Sequence, residues 1–225
     1  MNPPELVCAT VEPNVFCYAA LADTVTGTIY TNLPGRFPVQ SIRNMQYIFV
    51  YYAYKSNAIL VRPMKNRSDE SFVAAYKDIY KYLGDRGCKP TLNVTDNECS
   101  KAVQDYINSQ RVDWQLVEPD NHRVNAAEHA IQTFKNHFIS GLCSVDKLFP
   151  LQLWCYLLAQ AELSLNLLRT SRIDPTKSAY EVLEGTFKYN STPLAPPGTK
   201  ALIFEPTSQR TAWGPHAVDG WYSVP

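Results

Sequence analysis

Residues 45–64 read MQYIFVYYAYKSNAILVRPM, two runs rich in aromatic and β-branched residues parted only by Lys55-Ser56. Side chains on a strand alternate between faces, and residues of this kind suit a pleated, half-buried surface. The stretch is expected to form an antiparallel hairpin over 45–54 and 57–64. The period then changes. In SDESFVAAYKDIYKYLG (68–84), Phe72, Ala75, Tyr76, Ile79 and Leu83 share one helical face, with Ser68 as N-cap and Gly84 as the stop. A hairpin followed at once by helical spacing commits the chain to a sheet with helices laid on it.

The remaining text extends that plan. TGTIYTNL (26–33) reads as a strand ended by Pro34-Gly35, KPTLNVTD (89–96) as a strand, CSKAVQDYINSQ (99–110) as a helix and VDWQLVEP (112–119) as a short strand unit. A long helix is expected from Asn121 to Gly141-Leu142, with Val124, Ala127, Ile131, Phe134 and Phe138 as its apolar positions. FPLQLWCYLLAQAELSLNLLR (149–169) is apolar nearly all round and is expected to be a largely buried helix. A last helix over 174–185 is expected to open at Asp174-Pro175 and close at Gly185. The order β-β-β-α-β-α-β-α, then two more helices, defines an α/β fold: a mixed five-stranded sheet flanked by helices on both faces. The expected organisation is a poorly ordered lead-in over 1–25, a core over 26–185, and a Pro-rich extension over 186–225 carrying fragments of a small β unit, ALIFEP and GWYSVP.

Bulk properties exclude some classes. No run reaches the ~18 apolar residues a membrane helix needs, and the first 25 residues lack the basic region of a signal peptide. Six cysteines are scattered with no CxxC pair, which points to reduced, mostly buried thiols of an intracellular protein rather than a disulfide frame or a thiolate zinc site. Twenty-one basic residues balance twenty-one acidic ones. Any contact with nucleic acid must then rest on a local basic stripe.

The chemistry-bearing candidates are acids. Asp96 and Glu98 stand where a strand gives way to a helix, in VTDNECS, and Glu128 lies in the first turns of the long helix, 32 residues after Asp96. In a mixed sheet, active groups gather at strand ends and helix starts. With a third oxygen donor on the first strand near residues 30–33, such acids could hold two Mg²⁺ or Mn²⁺ ions, which favour carboxylate oxygen. Spacing alone equally allows Asp96 to cap the following helix and Glu128 to be a solvated helix residue. Glu98 is left as a cap or a solvent-facing charge.

The stretches TNLPGRFPVQS, MQYIFVYYAYKSNAILVRPMKNR, TDNECSKA, NAAEHAIQTFKNHF and GLCSVDKLFPLQLW resemble the integrase region of retrotransposon polyproteins over roughly residues 27–185. The resemblance implies the RNase H-like fold, a D,D,E set of metal-binding acids, a Mg²⁺ or Mn²⁺ cofactor, and joining of element ends to target DNA. On it, Asp96 matches the second acid and Glu128 the third. The first position departs: YTNLPGRFP places Asn32 where that family has aspartate. An amide brings no charge to a site in which two dications face a phosphate, so the departure implies strand transfer that is severely reduced or absent. Asp23, nine residues upstream, is not an evident substitute.

Gln132 and Lys135 follow Glu128 at i+4 and i+7 and share its helix face, and Arg123 precedes them. Relatives use these offsets for DNA, although a helix lysine can equally be a solvated charge. His122, His129 and His137 show no metal spacing, and the tyrosines of the hairpin read as sheet packing rather than base-stacking platforms. The resemblance further implies a homo-oligomer acting on element-end and target DNA, with no membrane, in the nucleus or a virus-like particle. Two alternatives stand beside it: a non-catalytic DNA-binding or self-association module derived from an integrase, and an RNase H-fold nuclease. The chain reads as a piece of a longer polyprotein.

Overall fold

The computed structural model describes residues 27–95, 99–117, 126–190 and 194–223. Five strands, β1 (Thr28–Asn32), β2 (Tyr47–Ala53), β3 (Ala58–Met64), β4 (Leu92–Thr95) and β5 (Asp113–Leu116), form one sheet in the order β3-β2-β1-β4-β5. β1, β2 and β3 are antiparallel neighbours, whereas β1, β4 and β5 run parallel. The aromatic hairpin is therefore one half of the sheet. Its parallel half is reached by crossovers through α1 (Asp69–Gly84) and α2 (Lys101–Ser109).

Alternation along the strands splits the core in two. Ile29, Phe49, Tyr51 and Leu60 pack beneath Tyr76, Ile79 and Leu83 of α1 and Val103 and Ile107 of α2. On the other face Ile48, Val50, Tyr52, Ile59 and Val61 meet α3 (Ala126–Ser144) through Ala130, Phe134 and Phe138, and α4 (Leu158–Leu168) through Leu158, Ala161 and Leu165. Helices thus cover both faces, and the hairpin aromatics are packing groups: Phe49, Tyr51 and Tyr52 are buried.

Side chains of α4 complete the sheet edge. β3 is an edge strand, and its outward backbone groups would be a template for another chain. Asn166 accepts the Ile59 N–H at 2.9 Å and donates to the Ile59 carbonyl at 2.9 Å. One helical turn earlier, Glu162 Oε2 accepts the Val61 N–H at 2.7 Å and also receives Arg62 at 3.0 Å. Arg62 continues to Asp78 on α1. The i, i+4 pair on α4 does for β3 what a sixth strand would do.

Several boundaries differ from expectation. α1 does end at Gly84 with Ser68 as its N-cap, as expected, and the left-handed conformation follows at Gly87 (φ 71). The long helix runs through Gly141 and Leu142 to Ser144. The 149–169 segment is not one helix. It is a 3-10 turn over Leu151–Tyr156 followed by α4, with Tyr156 and Leu168 exposed. The last helix of the core, α5 (Ala179–Glu184), does not open at Asp174-Pro175. Asp174 instead closes a local turn onto Thr176, and Ser178 with Glu181 forms a capping box. Of the cysteines among the described residues all four are free; Cys155 is buried, Cys88 and Cys99 are half-buried and Cys143 is exposed.

Beyond α5, β6 (Lys200–Phe204) and β7 (Ala217–Trp221) pair as an antiparallel hairpin. It meets the core at Gly198, whose carbonyl accepts the Asp146 N–H at 3.1 Å and whose N–H donates to the Tyr222 carbonyl at 2.7 Å. Gly198 has φ +70, and a Cβ there would collide with Val145, so only glycine fits. The acids at 96 and 98, Arg123 and His122, and the expected 1–25 lead-in lie outside the described residues.

Candidate active site

The parallel pairing of β1 and β4 sets the frame. Thr31 is opposite Thr95, the last residue of β4. Asn32 is the last residue of β1, half-buried, and its Oδ1 accepts the Leu33 N–H at 2.6 Å. Asn32 lines a small cleft with Thr95, Tyr76, Phe72 and Cys99, whose free space of about 20 Å³ is the size of one water.

Beneath the cleft lies a closed polar triangle. The Thr31 hydroxyl pairs with Tyr76 Oη at 2.7 Å and with Asn93 Oδ1 at 3.2 Å, and Asn93 Nδ2 donates to Tyr76 Oη at 3.0 Å. All three side chains are buried. Burial pushes the Tyr76 phenol up to about 12, against hydrogen bonds from Thr31, Asn93 and Thr95 that lower it. The triangle ties β1, β4 and α1 together one residue before Asn32, and a fully satisfied buried network of this kind fixes register.

The helix following β4 answers the capping question. Ser100 is the N-cap of α2, and its side chain accepts from the Val103 N–H. The capping job offered to Asp96 is already filled by a residue four positions on. Asp96, Asn97 and Glu98 themselves fall outside the described residues.

On the other side of β1, α3 packs against β1 and β2. Glu128 is half-buried in the first turn of α3. Gln132 and Lys135 are exposed further along the same face, and Gln132 Nε2 donates to Asn136 Oδ1 at 2.8 Å. His129 is exposed, and His137 is satisfied by Ser164 Oγ at 2.9 Å. Arg123 lies outside the described residues.

Two basic residues escaped the sequence reading. The register Asn32↔Val50 and Tyr47↔Met64 places the end of β3 at the Asn32 end of the sheet. Lys65 and Arg67 follow there and are exposed, with Arg67 5.8 Å from the Tyr47 ring centroid. They are more than thirty positions from Asn32 in the chain, so only the antiparallel return brings them near.

No protein-family model matches the chain, and no curated protein sequence matches it. Solved structures do. The HTLV-2 integrase catalytic core domain in complex with magnesium, trimeric form, is similar at TM-score 0.52 and 18% identity, over 71% of this chain and 97% of that one. The simian T-cell lymphotropic virus intasome in complex with PP2A regulatory subunit B56 gamma is similar at TM-score 0.56 and 14% identity, over 88% and 67%. The BIV integrase catalytic core domain follows at TM-score 0.50 and 11% identity, over 70% and 93%. The chain has the fold of retroviral integrase catalytic cores, the RNase H-like α/β architecture with its mixed five-stranded sheet.

Among the described residues the first position offers an amide where a carboxylate is expected. Asn32 is neutral, and its Oδ1 is already engaged by the Leu33 N–H. Among the described residues no three His, Cys, Asp or Glu side chains gather as a metal site.

Proposed function

We propose that the chain is an integrase-type core of retrotransposon origin that engages DNA, with phosphoryl transfer reduced or lost at the first metal-binding position. The observation that carries this reading is Asn32 at the carboxyl end of the central strand, beside the strand that leads into Asp96. Alternation along β4 puts Asn93 and Thr95 on the α1 side, and Glu128 lies on α3, across the sheet. Asp96 and Glu128 then remain as donors for a single Mg²⁺ or Mn²⁺. Such ions stabilise charge on a phosphate and activate a hydroxyl.

The residues that touch DNA in this reading are Gln132 and Lys135 on α3, with Arg123 before it and Lys65 and Arg67 across the cleft. Cores with this fold are described in trimeric and dimeric forms and in an intasome, which supports a homo-oligomer with DNA as partner. Among the described residues no helix is long and apolar enough to cross a membrane. We place the protein's action in the nucleus or a virus-like particle, with 26–185 as the core and 186–225 as its extension. Asn32 also favours a second reading, a DNA-binding or self-association module that no longer performs chemistry.

A strand-transfer assay on oligonucleotide duplexes with Mn²⁺ separates the outcomes. The parent chain is expected to join no ends, and Asn32→Asp to restore joining. A parent as active as Asn32→Asp would contradict the role given to Asn32. DNA binding by both without joining by either leaves the module reading.

A further inference from the structure

At the opposite end of the sheet, where β1 and β4 begin and β2 ends, a cleft of about 220 Å³ opens between the strands, the end of α1 and α5. Its walls are apolar: Ile29, Leu83, Leu183 and Ile173. Tyr51 also lines it, and the Tyr51 hydroxyl is fully buried with no hydrogen-bond partner. Buried polar atoms are almost always paired, so an orphan phenol beside a cavity marks a place where a ligand atom completes the structure. The half-buried thiol of Cys88 lies on the same wall, and burial raises its pKa, so it stays protonated.

The mouth is basic. Lys55, in the β2–β3 turn, and Lys89, before β4, both line the cleft and are exposed, and neither forms an ion pair among the described residues. Arg86 is nearby but already held by Glu184 at 2.6 Å. We propose that this cleft binds a small monocarboxylate with an apolar, ring-sized body. The body fills the space between α1, α5 and the sheet, a polar atom meets the Tyr51 hydroxyl, and the carboxylate faces Lys55 and Lys89. A pocket that is apolar throughout with a few convergent polar groups is the usual form of a small-molecule site. A dianionic phosphate is disfavoured, because the lining offers the hydroxyls of Tyr51, Thr28 and Ser56 but no guanidinium fork.

3-(4-Hydroxyphenyl)propanoate is a suitable probe, its phenol supplying the polar atom for Tyr51, with 3-(4-hydroxyphenyl)propan-1-ol as its uncharged match. The readout is the rate of Cys88 alkylation in the intact chain, with exposed Cys143 on α3 as internal control. The acid should slow Cys88 with a Kd on the order of a millimolar and leave Cys143 unchanged. The alcohol should protect less. Lys55→Gln and Lys89→Gln should each weaken the acid about threefold and leave the alcohol unaffected. Tyr51→Phe, which removes only the orphan hydroxyl, should weaken both ligands in a folded protein. Equal protection by acid and alcohol, no protection of Cys88, or protection untouched in the double lysine variant would each overturn the proposal.

Discussion

At the scale of single residues, the account turns on which group does which job. Ser100 caps α2. Ser100→Ala should therefore cost about 1 kcal/mol of stability in urea unfolding. Asp96→Ala should change it by less than about 0.5 kcal/mol, because surface changes away from a cap are nearly neutral. Equal losses would return Asp96 to a capping role. Tyr76 and Asn93 belong to the closed triangle under the cleft. Asn93→Leu should cost about 2–3 kcal/mol, since it leaves the Tyr76 hydroxyl and the Thr31 hydroxyl short of a partner in a buried site. His137 supplies a pH test. Burial between α3 and α4 lowers its pKa below 6.5. The folded state thus prefers the neutral ring, and the contribution is complete above the unfolded pKa and is lost as pH falls through the folded one. Thermal stability should decline on acidification from 6.5, and His137→Gln should flatten that decline.

Among elements, the α4 clamp on β3 carries a separate expectation. Glu162→Gln keeps shape but removes the charge that receives both the Val61 N–H and Arg62, and should cost about 1.5–3 kcal/mol. Asn166→Leu should cost a similar amount and promote self-association, because it uncovers the Ile59 N–H and carbonyl of the edge strand. Sedimentation at rising concentration reads this; a variant that stays as monodisperse as the parent would contradict the edge-capping role. The elements were legible where periodicity was strong. Phe72, Ala75, Tyr76, Ile79 and Leu83 gave α1 and its buried face, and the aromatic hairpin gave β2 and β3. Apolarity without a period misled at 149–169, where Leu157 ends a 3-10 turn before α4 begins and Leu151 and Leu168 stay exposed. Turn chemistry misled at Asp174, whose carboxylate binds Thr176 rather than opening a helix.

For the molecule as a whole, net charge is zero, so on the proposed reading DNA would be met by local groups. Lys65 and Arg67 after β3 reach the Asn32 end of the sheet only once the hairpin has folded back, which is why chain order hides them. Lys135→Ala with Lys65→Ala should lower DNA affinity and reduce the steepness of its salt dependence by about two counterions. An unchanged slope in fluorescence anisotropy would remove these lysines from the DNA surface. Of the proposed site residues, Asn32 was legible as a strand end and Glu128 as an early residue of the long helix, and the fold has them at the end of β1 and in the first turn of α3. The register Thr31↔Thr95, which brings the ends of β1 and β4 side by side, is a property of strand pairing that no local pattern encodes.

The most direct test of the central claim is Mn²⁺ calorimetry on Asn32→Asp and on Asn32→Asp combined with Asp96→Asn. If side chains 32, 96 and 128 share one metal site, Asn32→Asp gains tight binding that the parent lacks and the second change abolishes it. Binding in Asn32→Asp that is indifferent to Asp96→Asn would show that the two positions do not meet at a common ion.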